Sequence, residues 1–288
     1  MTYDLLISAE QLAKLLAGKT PVRIFDCTFD LGDAAVGHKQ YVESHIPGAV
    51  YAHLDTALSD KHGTGVSGGR HPLPTREKFA TWLSSVGLAN DMQAVVYDRN
   101  GASYCGRLWW MLKWVGHANV AVLDGGLQAW QAADGAVASA DEPAHFQTNF
   151  ALAPELSRLV ATKTVADNLG RPSQTLIDAR GEPRFRGSVE PLDPVAGHIP
   201  GALNRPFGQN IGADGKFKPA SALKAEFETL MAGRSAASVV HHCGSGVSAI
   251  SNILAMQIAG LGNVNTLGLY AGSWSDWCSD ISRPMAQG

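Results

Sequence analysis

The sequence predicts an α/β protein with two successive domains, each a mostly parallel sheet flanked by helices. Three observations favour this fold class. The pentapeptide HIPGA begins at His45 and again at His198, 153 residues later. Short apolar segments of strand length alternate with helical segments in each half of the chain. The length of 288 residues suits two domains better than one.

The positions around the repeated pentapeptide are also in register. Asp26 and Asp178 each end an apolar run and lie 152 residues apart. Farther upstream, Leu12 matches Val165 at the same spacing as the two histidines. A pentapeptide match with flanks in register indicates a tandem duplication of a unit of about 130 residues.

The duplication suggests where the domains begin and end. We expect an N-terminal domain in residues 1–135 and a C-terminal domain in residues 159–288. Residues 136–158 carry Ala, Asp and Pro and few periodic apolar positions, which predicts a linker. Two purely structural domains would show the same repeat, so a function has to be argued from particular residues.

Each half is expected to begin with a short amphipathic helix. In the first half, Ser8 and Gln11 form a capping-box signature ahead of Leu12, and Gly18 ends the segment. The later strands of the first half are predicted at 22–27, 94–98 and 119–123, and its helices at 75–86 and 107–115. The strands of the second half are predicted at 175–179, 238–243 and 264–269, and its helices at 221–232 and 247–258. Strands separated by helices favour parallel pairing.

Composition argues for a packed globular protein and against two classes of partner. Apolar residues make up 45% of the chain, charged residues 17%, and the net charge is −3. No run of Lys or Arg indicates a surface for nucleic acid or anionic membrane, so neither partner is expected. The most apolar segment, residues 108–116, is too short to span a bilayer and contains Lys113.

The cysteines and the N-terminus favour a reducing compartment. No two of the four cysteines have CxxC spacing, and no Cys/His cluster has the spacing of a zinc site. We therefore expect no disulfide scaffold, no metal and no other cofactor. The first residues lack a basic segment followed by an apolar one, so no secretory signal is expected and a cytoplasmic location is predicted.

The candidate for chemistry is Cys243. It ends an apolar strand and directly precedes a Gly-rich turn and a helix. Ligands bind at this carboxyl end of the strands in open α/β sheets, and the N–H groups of a helix N-terminus stabilise a thiolate. Gly244 and Gly246 allow the backbone to curl so that several N–H groups point inward. The pattern favours an anionic sulfur on Cys243, while Asp98 holds the matching position in the first half.

A phosphatase is the main rival explanation of a His-Cys pair before a short loop. The phosphate loop of tyrosine phosphatases needs an Arg after five intervening residues. Here the five are residues 244–248, and Ala249 follows them. Because the loop has no basic residue, phosphate chemistry is disfavoured.

Across almost its full length the chain resembles the rhodanese family, whose domain would account for both halves. The motifs that carry the resemblance are the two HIPGA pentapeptides, GGRHPLP at 68–74, LDGGLQAW at 123–130, DARGEPRFRG at 178–187, CGSGVSA at 243–249 and GSWSDW at 272–277. Thiosulfate-preferring members with two domains typically have Arg and Lys after the cysteine, where Gly244 and Ser245 stand here. The pattern Cys-Gly-Ser-Gly-Val is similar to members that act on 3-mercaptopyruvate.

The resemblance implies nucleophilic catalysis with a covalent persulfide. The Cys243 thiolate would attack the sulfur of 3-mercaptopyruvate, pyruvate would leave as its enolate, and a thiol, thioredoxin or cyanide would accept the sulfur. It places catalysis in residues 159–288 and leaves residues 1–135 without a catalytic cysteine. The backbone of Gly244, Gly246 and Val247 would line the substrate site.

Two arginines are candidates for the carboxylate of the donor. The resemblance points to Arg184, because a guanidinium pairs a carboxylate bidentately. Family members usually offer a second Arg after the next Glu-Pro, but Leu192 stands there. Arg205, shortly beyond the second HIPGA, is the candidate to replace it.

Three further side chains complete the expected site. Ser245 would hydrogen-bond the leaving enolate or relay a proton, or else only cap the loop. His45 matches a first-domain histidine that the family places near that serine, although a repeated HIPGA histidine is equally compatible with a structural role. Ser248, at the helix start, is a candidate hydrogen-bond donor to the sulfur.

Two other functions remain open from the sequence. One is the same sulfur transfer with thiosulfate as the donor and cyanide as the acceptor. The other, from a different class, is a non-catalytic sulfur carrier or a module that handles persulfides.

Overall fold

The computed structural model describes residues 2–63 and 65–288. They form two compact units. Unit 1 comprises the residues up to Asp60, Pro74–Leu156 and Gly212–Phe217, and unit 2 comprises Lys61–Leu73, Ser157–Ile211 and Lys218–Gly288. The main division, between Leu156 and Ser157, falls within the predicted linker. Two short segments are exceptions to this division, because Lys61–Leu73 belongs to unit 2 and Gly212–Phe217 belongs to unit 1.

The sheet of unit 1 has five strands, all parallel, in the order β1-β5-β4-β2-β3. The strands are β1 (Leu6–Ile7), β2 (Val22–Asp26), β3 (Val50–Tyr51), β4 (Gln93–Tyr97) and β5 (Val120–Leu123). The helices are α1 (Ala9–Leu16), α2 (Ala34–Glu43), α3 (Arg76–Ser85), α4 (Cys105–Trp114) and α5 (Gly126–Ala132). Every residue of β4 is buried, as helices on both faces of a sheet require.

Unit 2 repeats this architecture with the strand order β6-β10-β9-β7-β8, again all parallel. The strands are β6 (Arg158–Leu159), β7 (Thr175–Asp178), β8 (Leu203–Asn204), β9 (Val239–His242) and β10 (Gly268–Leu269). The helices are α6 (Thr162–Asp167), α7 (Glu182–Arg186), α8 (Ala220–Met231), α9 (Ala249–Ile258) and α10 (Ser273–Trp277). The matching strand orders confirm the predicted α/β fold class.

Local sequence explains where the elements begin. The capping box of α1 forms as predicted, because Ser8 Oγ accepts from the Gln11 N–H and the Gln11 side chain accepts from the Ser8 N–H. The strand predicted at 264–269 is reduced to Gly268–Leu269. Asn263 Oδ1 accepts from the N–H groups of Asn265 and Thr266, and this turn displaces the extended backbone there.

The residues of the predicted linker are hydrogen-bonded to unit 1. Ala138 forms an antiparallel bridge with His45. Thr148 donates to Leu88 O, and the Ala151 N–H donates to Asn90 Oδ1. The described residues contain no helix that is both long enough and apolar enough to cross a membrane.

Candidate active site

Cys243 follows β9 directly and begins the loop of residues 243–248, which we call the Cys243 loop. Its side chain is buried, with 2% of the residue exposed. Its N–H donates to Ser273 Oγ at 3.1 Å, and its C=O accepts from the Trp274 N–H at 3.0 Å. Gly246 has φ +72°, and a Cβ there would lie 2.3 Å from the Ala271 carbonyl oxygen. Only glycine therefore allows this loop to close against the segment after β10.

The surroundings of Cys243 stabilise its thiolate. Burial raises the pKa of the Cys243 thiol, but hydrogen bonds from the Ser248 side chain and from the backbone N–H groups of Ser245, Ala249 and Val247 outweigh it. The resulting pKa lies below the usual value for cysteine. Burial and nearby carboxylates instead raise the thiol pKa of the three remaining cysteines, Cys27, Cys105 and Cys278. Among the four cysteines of the chain, Cys243 alone has a lowered thiol pKa.

Ser245 forms a buried pair with a histidine that sequence reasoning missed. His71 Nδ1 lies 2.7 Å from Ser245 Oγ. His71 is in the GGRHPLP motif, on the Lys61–Leu73 segment that belongs to unit 2. The motif was a signal for this residue, but its contact with Ser245 depends on a chain path that the sequence does not reveal.

His45, the candidate partner for Ser245, has 0% exposure and is bound within unit 1. Its Nδ1 lies 2.7 Å from Tyr41 O, and its Nε2 lies 3.1 Å from Glu142 Oε1. His198, its counterpart in the repeat, has Nδ1 2.9 Å from Phe185 O. Each histidine also stacks on the aromatic ring of the residue whose carbonyl lies near it. This shared arrangement gives the repeated histidine a structural role.

Arg184 lies beside the Cys243 loop. A Cβ built on Gly244 would lie 3.4 Å from Arg184 Nη1 and 2.9 Å from Arg70 Nη2. Arg184 Nη2 donates to Glu190 Oε1 at 2.6 Å and to Asp193 Oδ2 at 3.1 Å. Its side chain keeps 20% exposure, so the guanidinium is held in place but remains accessible. Arg70, which sequence reasoning did not select, is a second guanidinium at the same loop.

Arg205 is engaged elsewhere in unit 2. Its Nη2 donates to Glu226 Oε2 at 2.5 Å and to Asn210 Oδ1 at 3.2 Å. The guanidinium carbon lies 5.0 Å from the centre of the Phe227 ring. These contacts bind the side chain to α8 and explain it as a packing residue.

A buried ionic network lies at the carboxyl end of β7. Burial raises the pKa of Asp178, but the charges of His242 and Arg180 outweigh it and leave this pKa below the usual value. Arg180 also pairs with Glu190 and lies over the Trp274 ring. Burial lowers the pKa of His241 to about 3, so this ring is neutral. In the described part of the chain, no group of three or more His, Cys, Asp or Glu residues is placed to hold a metal.

Comparisons with known proteins identify the family of the chain. The rhodanese-like domain model matches residues 8–133 and 161–280. A probable 3-mercaptopyruvate sulfurtransferase of Pseudomonas aeruginosa is 44% identical over all of both chains. A putative thiosulfate sulfurtransferase of Mycobacterium tuberculosis is 38% identical, over 99% of this chain and 98% of that one.

Solved structures give the same result. The 3-mercaptopyruvate sulfurtransferase from Leishmania major is 31% identical with a TM-score of 0.79, over 96% of this chain and 74% of that one. The 3-mercaptopyruvate sulfurtransferase from Escherichia coli is also 31% identical with a TM-score of 0.79, over 95% of this chain and 100% of that one. With a matching domain in each half and full-length relatives at this identity, the chain belongs to the rhodanese family of sulfurtransferases.

Proposed function

We propose that this protein takes the thiol sulfur of 3-mercaptopyruvate onto Cys243, passes it to a thiophilic acceptor and releases pyruvate. One observation carries the proposal above all. The hydrogen bonds that lower the pKa of the Cys243 thiol come from neutral donors, while the guanidiniums of Arg70 and Arg184 lie to the side, at Gly244. A donor that carries its carboxylate three bonds from its sulfur suits this separation.

The first half-reaction transfers the sulfur. The Cys243 thiolate attacks the donor sulfur, the S–S bond forms, and the bond between that sulfur and C3 of the donor breaks. Its electron pair moves onto the carbonyl as the pyruvate enolate. The proton of the donor thiol ends on C3, which gives pyruvate and the Cys243 persulfide. The N–H groups that hold the thiolate suit the persulfide anion as well.

The hydroxyl of Ser245 is the group we assign to the developing enolate oxygen. It is 2.7 Å from His71 Nδ1, so the imidazole can exchange a proton with it. Arg184 is assigned to the carboxylate of the donor. Gly244, Gly246 and Val247 contribute backbone to the substrate site, and Ser248 contributes a hydrogen bond to the sulfur.

The second half-reaction returns the enzyme to its starting state. An acceptor thiolate attacks the outer persulfide sulfur, the S–S bond to Cys243 breaks, and the thiolate of Cys243 leaves. A small thiol, thioredoxin or cyanide can perform this step. Such acceptors suit the cytoplasmic location expected from the sequence.

The test is a side-by-side measurement of kcat/KM for 3-mercaptopyruvate and thiosulfate with cyanide as the acceptor. We expect 3-mercaptopyruvate to be preferred by about tenfold or more, because the loop lacks cations at the sulfur. Cys243→Ser should abolish turnover with both donors, and Cys278→Ala is the matched control.

Either competing function would give a different result. A tenfold preference for thiosulfate would favour the reaction named for the mycobacterial relative. Uptake of one sulfur atom per protein without further turnover would identify a carrier rather than an enzyme.

A further inference from the structure

Part of the predicted linker covers unit 1 at the edge where the strands of its sheet begin. Glu142 Oε1 accepts from the Gly48 N–H at 2.7 Å and lies 3.1 Å from His45 Nε2. Farther along, a Cβ built on Gly87 would lie 2.8 Å from the Phe146 carbonyl oxygen, so the linker passes directly over this glycine. Unit 1 thus binds an acidic segment of its own chain through a carboxylate and through close backbone packing.

Unit 2 repeats the two groups that bind Glu142. Gly201 and His198 stand in the second HIPGA where Gly48 and His45 stand in the first. In the part of the chain that the structure describes, neither the Gly201 N–H nor His198 Nε2 has a hydrogen-bond partner. The two groups that hold a carboxylate in unit 1 therefore recur in unit 2 with no described protein group bound to them.

A cavity of about 510 Å³ lies at the same place in unit 2, and Gly201 lines it. It is at the start of β7, the opposite edge of the sheet from Cys243. Gly233, two residues after α8, also lines it, and a Cβ built there would meet no described atom within 4 Å. Gly87 has the matching position after α3, so this cavity corresponds to the surface that the linker covers in unit 1.

The charge of the cavity favours an acidic ligand. Arg171 and Arg234 line it, and none of its described lining residues is Asp or Glu. Both arginines are exposed, and neither forms an ion pair with a carboxylate of the described residues. Two such guanidiniums beside a backbone donor attract a carboxylate and can bind it with charge-assisted hydrogen bonds.

We propose that this cavity binds an acidic peptide segment of a partner protein, in the way that unit 1 binds its own linker. A carboxylate of the partner would accept from the Gly201 N–H, as Glu142 accepts from Gly48. Arg171 and Arg234 would pair with further acidic groups of the same segment. The cavity is large enough for several residues of a peptide, which favours this ligand over a single small anion.

The test uses the intact protein and a fluorescently labelled peptide with the sequence of residues 139–150, SADEPAHFQTNF. We expect fluorescence anisotropy to show saturable binding with a Kd below about 1 mM. The same peptide with Glu142→Gln should bind about fivefold more weakly, since it loses the anionic acceptor. Combining Arg171→Gln with Arg234→Gln in the protein should weaken binding about tenfold, whereas Lys224→Gln, which removes an exposed cation of α8, should stay within about twofold of wild type.

Sulfur transfer provides the control for folding. The double arginine variant should keep the wild-type kcat/KM, because the cavity lies at the opposite edge of the sheet from Cys243. The absence of saturable binding would overturn the inference, as would binding that either change leaves undiminished. Inorganic phosphate that binds where the peptide does not would identify a small-anion site instead. A dimer in sedimentation that requires the two arginines would identify a second copy of this chain as the ligand, and either result would also overturn the inference.

Discussion

The loops that follow β4 and β9 have similar backbone hydrogen bonds, but they surround different side chains. Asp98 follows β4 as Cys243 follows β9. The Leu127 N–H donates to Asp98 O at 3.3 Å, and the Trp274 N–H donates to Cys243 O at 3.0 Å. We call residues 98–104 the Asp98 loop. The duplication thus retained the position of the loop and changed the group that the loop surrounds.

In each loop, backbone N–H groups surround one anionic group. Asp98 Oδ1 accepts from the N–H groups of Asn100 and Ala102, and Oδ2 accepts from those of Tyr104 and Cys105, at distances from 2.8 to 3.1 Å. In the Cys243 loop, hydrogen bonds of the same kind lower the thiol pKa. A set of converging backbone N–H groups can therefore either anchor a structural carboxylate or stabilise a reactive sulfur.

The side chains around the two loops differ as well. Arg99, next to Asp98, donates to the carbonyl oxygens of Ser44 and Gln40 and so packs α2 onto its unit. Next to Cys243, the two guanidiniums remain partly exposed. Reactivity therefore needs more than the loop shape. It needs a reactive atom among the N–H groups of the loop and accessible polar groups beside it.

The largest expected effect tests the structural half of this comparison. Asp98→Ala removes the acceptor of four N–H groups in a buried loop, and unmet buried donors are costly. We expect the free energy of unfolding of unit 1 to fall by about 3 kcal/mol. Urea unfolding followed by tryptophan fluorescence measures this, with the exposed Asp91→Ala as the control. A loss no greater than that of the control would show that the carboxylate is not an anchor.

The next effect tests the catalytic half. Ser245→Ala should lower kcat for 3-mercaptopyruvate by about a hundredfold, the usual contribution of a positioned proton donor, with little change in KM. Asn100→Ala, two residues after Asp98 as Ser245 is after Cys243, is the matched control. His71→Gln should give a loss similar to that of Ser245→Ala, and the double variant little more, because the two side chains act as a unit. Additive losses would contradict a shared proton path.

The same comparison shows what sequence reasoning could reach. The duplication, the parallel sheets implied by alternating strands and helices, and Cys243 before its Gly-rich turn are all local patterns. The equivalence of Asp98 and Cys243 also followed from alignment of the two halves. These features depend on spacing along the chain, which the sequence states directly.

What sequence reasoning missed depends on chain paths between distant segments. Arg70 and His71 reach the Cys243 loop because a segment early in the sequence belongs to unit 2. Arg205 was an attractive candidate on position alone, but its ion pair with Glu226 depends on how α8 packs. The hydrogen bonds that make His45 structural likewise involve Glu142, far away in sequence.

The smallest expected effect concerns how the hydrogen-bond donors of the Cys243 loop set the pKa of the Cys243 thiol. The Ser248 side chain donates a hydrogen bond that lowers the pKa of the Cys243 thiol. Ser248→Ala removes it, so the pKa should rise, by about one unit for a bond worth about 1.4 kcal/mol. Below both pKa values the thiolate fraction, and with it the rate of persulfide formation, should then fall by about tenfold. Above both values, the two proteins should react equally fast.

The ultraviolet absorbance of the thiolate measures this shift directly. Since the pKa values of the other three thiols are raised, the first absorbance step on raising the pH belongs to Cys243. Ser103→Ala, at the matching position of the Asp98 loop, should leave that step unchanged. An unshifted step in Ser248→Ala would mean that the backbone N–H groups alone set the pKa. The Asp98 loop and the Cys243 loop would then differ only in the group that their N–H donors surround. The serine at the start of α9 would have no part in activating the sulfur.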